Sequence, residues 1–164
     1  GAGNIHSLPF EDNLFDAVIC SEVLEHLDSL ESAVSEIVRV LKPGGVLAVS
    51  VPRYLPELIC WKLSPDYSKT PGGHVRIFKQ TQLRKLILKE AVSYVSFHWA
   101  HALHSPYWWL KCLFWDREED HWLVRKYHEF LIWDLMKSPF LTRLLEMLLK
   151  PLIGKSLVMY FVKE

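Results

Sequence analysis

The stretch LPFEDNLFDAVICSEVLEHL at residues 8–27, followed by RVLKPGG at residues 39–45, decides the fold of this chain. Within it, residues 15–20 form a short and nearly continuous apolar run with one charge, Asp16, near its start. Runs of this kind are typical of strands that are covered on both faces in a parallel sheet. We therefore expect a buried parallel strand here.

A helix and a second strand follow this first strand. Asp28, with Glu31 three residues later, forms a capping-box pattern, and apolar residues then recur at helical spacing as far as Leu41. The sequence Pro43-Gly44-Gly45 predicts the end of that helix, and the apolar residues 46–51 predict a second buried strand. Strand, helix and strand in this order predict a βαβ unit with a right-handed crossover.

These motifs, at this spacing, resemble the second half of class I S-adenosylmethionine-dependent methyltransferases of the type 11, ubiquinone-biosynthesis-like group. The resemblance implies an α/β fold with a Rossmann-like methyltransferase sheet, and methyl transfer from S-adenosylmethionine to an O, N or C atom. In that family a strand with a Gly-rich loop, and a second strand ending in an acidic residue, precede this stretch. The sequence begins at Gly1, so we expect an N-terminally truncated form of the fold.

The resemblance also implies residues that bind the cofactor. Gly3-Asn4-Ile5 aligns with the family's Gly-Asp-Ala, in which the acid accepts a hydrogen bond from the adenine amino group and the next backbone N–H reaches a ring nitrogen. Asn4 departs from the pattern, but its amide oxygen can accept the same bond, more weakly than a carboxylate. Ser21 follows the first strand, where ligands bind in open α/β sheets. We expect Asn4, Ile5 and Ser21 to contact S-adenosylmethionine; the alternatives are a simple loop residue at Asn4 and a plain strand-to-helix turn at Ser21.

Glu22, Glu25 and His26 resemble a set that is associated with a divalent cation in ubiquinone-type O-methyltransferases. Two carboxylates and an imidazole suit a metal, and Glu22 and His26 lie one helical turn apart. The alternative, which we favour, is that Glu25 and His26 hold the turn by hydrogen bonds and no metal binds. Without a metal, His26 or His74 is the candidate general base, because histidine titrates close to neutral pH.

His74 belongs to a second motif, in which Gly73, His74, Arg76 and Phe78 resemble a GHxRxF segment of the family. In relatives these residues often lie above the cofactor. The preceding residues 52–73 contain prolines and glycines that predict a loop at the border of the site. The alternative is a solvated loop histidine.

Composition limits the partners and the compartment. The 19 Lys and Arg residues balance the 19 Asp and Glu residues, which argues against a nucleic-acid partner. The three cysteines Cys20, Cys60 and Cys112 are odd in number and lack CxxC spacing, which predicts reduced thiols in a cytoplasmic protein. The expected partner is therefore a small-molecule substrate.

Residues 99–156 form a segment far longer than an ordinary loop, and it precedes the last predicted strand at residues 157–162. We expect a helix starting near Thr81, a strand at 92–98, a helix over 116–136 and another opening at Ser138-Pro139. The acids Glu118, Glu119 and Asp120 would lie at the positive end of the 116–136 helix. The predicted domains are residues 1–98, part of the methyltransferase core; 99–156, an aromatic-rich helical insertion; and 157–164, the last core strand.

The inserted segment admits several roles. It is extra core or the face of a homodimer, or else a lid over an apolar substrate or an amphipathic element on a membrane surface. His98, His101 and His104 recur at a spacing of three, which invites a metal site. However, Ser105-Pro106 predicts a break in the helix, which favours a pocket lining or polar tips in an aromatic cluster.

The favoured interpretation is S-adenosylmethionine-dependent methyl transfer to a small molecule, as part of a longer parent enzyme. An apolar molecule is one candidate substrate. The rival is a non-catalytic fragment or partner subunit. In the family, the Gly-rich loop that precedes this stretch holds the amino-acid part of the cofactor, so we expect weaker or no cofactor binding without it. A third interpretation is a membrane-surface binding module built on the aromatic helices.

Overall fold

A computed structural model describes residues 3–117 and 121–164 of the chain. The predicted position of Glu118, Glu119 and Asp120 at a helix start lies outside these described residues. The strands are β1 (Phe15–Ser21), β2 (Leu41–Pro52), β3 (Val92–Ala100) and β4 (Ser156–Lys163), and the helices are α1 (Glu31–Val40), α2 (Tyr54–Leu63), α3 (Gln80–Ile87), α4 (His104–Leu113), α5 (Trp122–Lys137) and α6 (Phe140–Ile153). Single 3-10 turns occur at Leu24–His26, Tyr67–Lys69 and Trp115–Arg117.

The chain divides into two compact units. The first unit contains residues 1–51, 78–98 and 157–164, and the second contains residues 52–77 and 99–156. The division into domains 1–98, 99–156 and 157–164 stays a prediction, because a compact unit is not in itself a domain.

The sheet confirms the βαβ unit. Its order is β1-β2-β4-β3, and β1 pairs with β2 in parallel with α1 between them in sequence. Apolar side chains fill the core of the first unit on this sheet and on the helices beside it. Its most buried members are Leu24, Val40, Leu41, Leu47, Val49, Val51, Leu83, Ile87, Met159 and Phe161.

The expectation that β1 is covered on both faces is wrong. Ile19 is 78% exposed, although Cys20 beside it is buried. Among the described strands β1 pairs with β2 alone and lies at the end of the sheet order, so it is an edge strand. The apolar run correctly indicated a parallel strand, but it did not reveal what covers each face.

The predicted capping box is also wrong. Helix α1 begins at Glu31 with Leu30 at its N-cap, and no side chain caps it. The helix ends at Val40, and the main chain of Leu41 is already extended. The Pro-Gly-Gly sequence therefore lies inside β2, where the pairing shifts between Phe15↔Leu41 and Ala17↔Val46.

Two segments that were expected to be irregular are helical. Residues 52–73 contain α2, whose Pro56 lies in the first turn, where a helix tolerates the missing N–H of proline. Ser105-Pro106 does not break a helix but lies in the first turn of α4, for the same reason. The helix α6 opens after Ser138-Pro139 as predicted. No helix in the described ranges is long and apolar enough to cross a bilayer.

Candidate functional site

The first unit presents a turn at the carboxyl end of β1. Ser21 is the last residue of β1 and is exposed, and Glu22 follows it with φ +52°. The backbone N–H of Glu22 donates to the Ser50 carbonyl at 2.9 Å, and the Ser50 hydroxyl donates to the Glu22 carboxylate. These bonds fix the turn against β2 and leave Ser21 at the edge of the sheet.

The segment that contains Asn4 and Ile5 is folded by its own polar groups. Asn4 forms an isolated antiparallel bridge with Ser7, and its Oδ1 accepts a hydrogen bond from the His6 backbone N–H at 3.0 Å. An amide oxygen has two lone pairs, so this bond leaves Asn4 able to accept another. Asn4 is exposed.

Arg39 and Glu36 of α1 attach this segment to the first unit. The Arg39 guanidinium donates to the carbonyls of Leu8 and Phe10, at 3.1 and 2.8 Å, and to the carboxylates of Asp12 and Glu36. Glu36 accepts the Leu8 backbone N–H at 2.8 Å. The Arg39 hydrogen bond, joined by that of Leu8, lowers the pKa of Glu36 to about 2. The segment is thus held by a carboxylate that stays ionised at neutral pH.

An apolar groove of about 240 Å³ lies in the first unit beside these residues. Its lining residues are Ile5, Leu8, Phe10, Phe15, Val18, Ile19, Cys20, Val23, Ile37 and Val40. Burial, together with the charge of Glu25, raises the pKa of the Cys20 thiol to about 12. The thiol is therefore neutral at physiological pH and serves as an apolar wall rather than as a nucleophile.

The turn after β1 carries the predicted metal ligands and one predicted base. Glu25 is fully buried, and its Oε1 lies 3.8 Å from Nε2 of the partly exposed His26. Glu22 instead directs its carboxylate at Ser50. The turn therefore brings Glu25 and His26 together, and the assignment of these three residues to a metal stays a prediction.

The second unit contains a buried charged cluster around Glu57 of α2, which the sequence analysis missed. Glu57 is 1% exposed, and its Oε1 lies 2.6 Å from Nδ1 of His74. Its Oε2 lies 3.8 Å from Nζ of Lys155. Tyr67 packs edge-on against the His74 ring, at 6.0 Å between centroids. We call Glu57, Tyr67, His74 and Lys155 the Glu57 cluster.

The protonation of the Glu57 cluster follows from its charges. Burial alone would raise the pKa of Glu57, but the hydrogen bond from His74 and the charge of Lys155 outweigh it and lower that pKa. Burial, with the Glu57 charge, raises the pKa of Tyr67. An ionised carboxylate can only accept, so Nδ1 of His74 carries the hydrogen and donates it to Glu57. In the neutral ring this tautomer places the lone pair on Nε2, the form a general base needs.

The three spaced histidines do not form one cluster. His98, in β3, stacks on Tyr160 of β4 at 5.6 Å between ring centroids. His101 has φ +61° and lies 5.4 Å from the ring of His104. His101 Nδ1 also lies 3.4 Å from the Ser156 hydroxyl. These contacts give each ring a packing partner, which agrees with the alternative that the sequence analysis favoured over a metal site.

The sequence of this chain is similar to part of known methyltransferases. The model of the methyltransferase domain family matches residues 2–49. The chain is 36% identical to sterol 24-C-methyltransferase erg6 of Schizosaccharomyces pombe over 104 residues, which are 58% of this chain and 25% of that protein. It is 35% identical to squalene methyltransferase 1 of Botryococcus braunii over 75 residues, 46% of this chain and 18% of that protein. The chain thus matches at most about a quarter of the length of these relatives.

Solved structures share the fold at low sequence identity. A methyltransferase from Thermotoga maritima, described as a possible histamine N-methyltransferase, aligns with a TM-score of 0.59 at 18% identity, over 99% of this chain and 62% of that one. Geranyl diphosphate methyltransferase in complex with S-adenosylmethionine aligns with a TM-score of 0.57 at 13% identity, over 99% of this chain and 56% of that one. Both alignments confirm the Rossmann-like methyltransferase fold. Residues 2–49 thus match the methyltransferase domain family, and the chain shares the fold of S-adenosylmethionine-dependent methyltransferases.

Proposed function

We propose that this chain contributes a cofactor site and a proton acceptor to an enzyme that methylates a small apolar molecule with S-adenosylmethionine. The observation that carries the proposal is the groove of the first unit, which Ile5 lines next to the polar atoms of Asn4. An apolar groove beside a hydrogen-bond acceptor suits a flat heterocycle that carries an amino group. Adenine is such a group.

Each predicted residue has a role in this proposal. Asn4 Oδ1 accepts a hydrogen bond from the adenine amino group, and the backbone N–H of Ile5 donates to a ring nitrogen. Ser21 contacts the methionine end at the carboxyl end of β1. The bound cofactor supplies a methyl group on a sulfonium leaving group, so positioning accounts for most of the catalysis.

The proton that leaves the methyl acceptor needs a base. We propose His74 for this role, with His26 as the alternative. The hydrogen bond between His74 Nδ1 and the Glu57 carboxylate supports His74, because it orients the ring and stabilises the imidazolium that proton uptake creates. Glu57 acts through His74 and is therefore a positioning residue.

The substrate class is the finer part of the proposal. The names of two relatives, a sterol methyltransferase and a squalene methyltransferase, favour an apolar acceptor. Sterols and squalene are therefore the first acceptors to test with radiolabelled S-adenosylmethionine. Glu57→Gln should lower kcat for an accepted substrate and leave its KM nearly unchanged. The reason is that an amide cannot stabilise an imidazolium as a carboxylate does.

Cofactor binding can be tested by calorimetric titration of S-adenosylmethionine into the chain. We expect binding that the double variant Asn4→Ala and Ser21→Ala abolishes. Ser93→Ala is a matched control, because this exposed hydroxyl contacts only Glu164 among the hydrogen bonds described here. No heat of binding from folded protein would support the rival proposal of a non-catalytic fragment or partner subunit.

Three further points remain proposals: a divalent cation, a cellular location and a partner surface. A divalent cation at Glu22, Glu25 and His26 would suit their chemistry, although the Ser50 contact of Glu22 supports the metal-free alternative. A cytoplasmic location is supported by the cysteines Cys20, Cys60 and Cys112, all of which are free thiols. A peripheral membrane contact or a homodimer through the aromatic helices is the remaining partner proposal, and the structure of α5 and α6 favours the first.

A further inference from the structure

Helices α5 and α6 carry their largest apolar side chains outward. The residues on both sides of the short connection Ser138-Pro139 are the most exposed: Leu135 is 78%, Met136 75%, Phe140 82% and Leu141 64% exposed. We call residues 135–141 the hairpin tip. Leu148 and Leu152 continue this exposed surface along α6, at 59% and 65%.

The orientation of α6 explains this exposure. Its one buried residue is Thr142, whose hydroxyl donates to the Pro139 carbonyl at 2.9 Å. Leu141, Leu145, Leu148 and Leu152 of this helix are exposed, whereas a core helix buries its apolar stripe. Exposed apolar patches on ordinary monomers rarely exceed a few hundred Å², and larger ones mark an interaction surface.

Glu146, the one acidic residue of α6, is directed inward. Glu146 accepts the backbone N–H groups of Ala102 and Leu103 at 2.8 and 3.0 Å through its two carboxylate oxygens. Glu146 therefore does not contribute to the outward face.

The basic side chains lie at the outward face. Lys137 is exposed between Met136 and Ser138 in the hairpin tip, and Arg143 is exposed one turn into α6. Aromatic and aliphatic side chains flanked by cations are typical of helices that lie in the headgroup region of a bilayer. Each cation near an anionic leaflet adds a favourable electrostatic contribution.

A second copy of the chain fits this face less well. In a two-fold dimer the same patch meets itself, so Lys137 and Arg143 of both copies would approach one another. Because Glu146 is the only acidic residue of α6 and is directed inward, α6 offers no exposed acid to pair with these cations. An anionic lipid surface supplies both an apolar layer and the opposite charge.

We propose that the hairpin tip docks this chain onto membranes that contain anionic lipid, with Leu135, Met136, Phe140 and Leu141 among the acyl chains and Lys137 and Arg143 at the headgroups. This inference goes beyond the proposed methyl transfer. Its test measures a property of α5 and α6, whereas titration of S-adenosylmethionine measures binding to the first unit. The membrane proposal and the methyltransferase proposal can therefore fail separately.

The test is cosedimentation of the chain with vesicles of phosphatidylcholine alone or with phosphatidylserine added. We expect stronger binding to the phosphatidylserine vesicles and a decrease in binding as salt is added. Leu135→Ser with Phe140→Ser should lower partitioning into both vesicle types by roughly tenfold or more, because two large apolar groups are lost. Lys137→Gln with Arg143→Gln should lower binding to the anionic vesicles alone, by roughly tenfold.

Matched variants on the second unit control for general loss of hydrophobicity or charge. Leu113→Ser removes a side chain that is 56% exposed on α4, and Lys62→Gln removes an exposed cation of α2. Both should bind like the unaltered chain. Absence of binding to either vesicle, equal binding to both, or a dimer in light scattering that Leu135→Ser with Phe140→Ser dissolves would overturn the proposal. If a variant loses its circular dichroism signal, the lipid and salt dependence of the unaltered chain still decides.

Discussion

At the scale of single residues, Glu57 is an ionised carboxylate buried in the second unit. A carboxylate that is 1% exposed is tolerated because an imidazole and an ammonium group lie on its two oxygens. Its ionised state is therefore part of the folded structure. Removal of that charge should be measurable as a change in stability with pH.

We predict that Glu57→Gln lowers the free energy of unfolding by about 2 kcal/mol at neutral pH, since a buried charge-assisted hydrogen bond is replaced by a neutral one. The pKa of Glu57 is lower in the folded chain than the ordinary glutamate value of 4.5. The stabilisation is therefore present above pH 4.5 and is lost as the pH falls through the lowered folded value.

Urea unfolding of both proteins from neutral pH down to the acid limit of folding measures this effect. The difference between them should shrink as the medium becomes acidic below pH 4.5. Glu129→Gln is the matched control, because that exposed carboxylate contacts Lys126 at the surface. A difference that grows on acidification would contradict the ionised state of Glu57.

The residue scale also shows the limit of sequence reasoning at the candidate site. His74 was predicted from its motif, but its partners Glu57 and Lys155 carry no sequence signal that links them to it. They meet only because α2 and the chain before β4 fold into one unit. The roles of Asn4, Ile5, Ser21, His26 and His74 remain predictions for the titrations and assays proposed above.

At the scale of elements, β2 contains two neighbouring glycines, Gly44 and Gly45, that are needed for different reasons. A Cβ on Gly45 would lie 2.8 Å from the Lys42 carbonyl oxygen and 3.0 Å from that of Asp16. Gly44 has open space around its Cβ position, but its φ is +76°. Glycine is required at position 45 because other backbone atoms approach closely, and at position 44 because the backbone there is left-handed.

We therefore predict that Gly45→Ala destabilises the chain by about 3 kcal/mol, because backbone atoms must move. Gly44→Ala should cost about 1 kcal/mol, which is the penalty for a side chain in the left-handed region. Chemical unfolding of the two variants measures the difference. Equal losses would show that β2 relaxes at this irregularity.

Some helices and strands could be predicted from the sequence and others could not. The βαβ unit followed from apolar runs and their spacing, which report directly on strand and helix periodicity. Helix α2 was missed because Pro56 was interpreted as an interruption, whereas the first turn of a helix tolerates proline. The stripe of α6 was found, but periodicity identifies an apolar face without stating whether it points inward.

At the scale of the whole molecule, Lys163 connects the end of the chain to the beginning of the first unit. Its Nζ donates to Asn13 Oδ1 at 2.9 Å and to the carbonyls of Val38 and Leu41 at 2.7 and 2.8 Å. Carbonyls at the end of a helix lack intrahelical partners, so an ammonium group there both satisfies them and matches the helix dipole. One side chain of β4 thus secures the end of α1.

Lys163→Met should lower the free energy of unfolding by about 2 kcal/mol, because it leaves these acceptors without their donor. Lys89→Met is the matched control: its pair with Glu31 is 61% and 67% exposed and should contribute less than about 1 kcal/mol. Thermal and urea unfolding compare the two. Similar losses would show that Lys163 is replaceable by water.

The position of β1 at the end of the sheet order of the described strands affects how this chain behaves at high concentration. A strand edge with an exposed apolar side chain, such as that of Ile19, is a template on which further strands can add. We therefore expect concentrated samples to aggregate through β1. Ile19→Lys should slow this aggregation, because a charged side chain on the strand disfavours the addition of further strands.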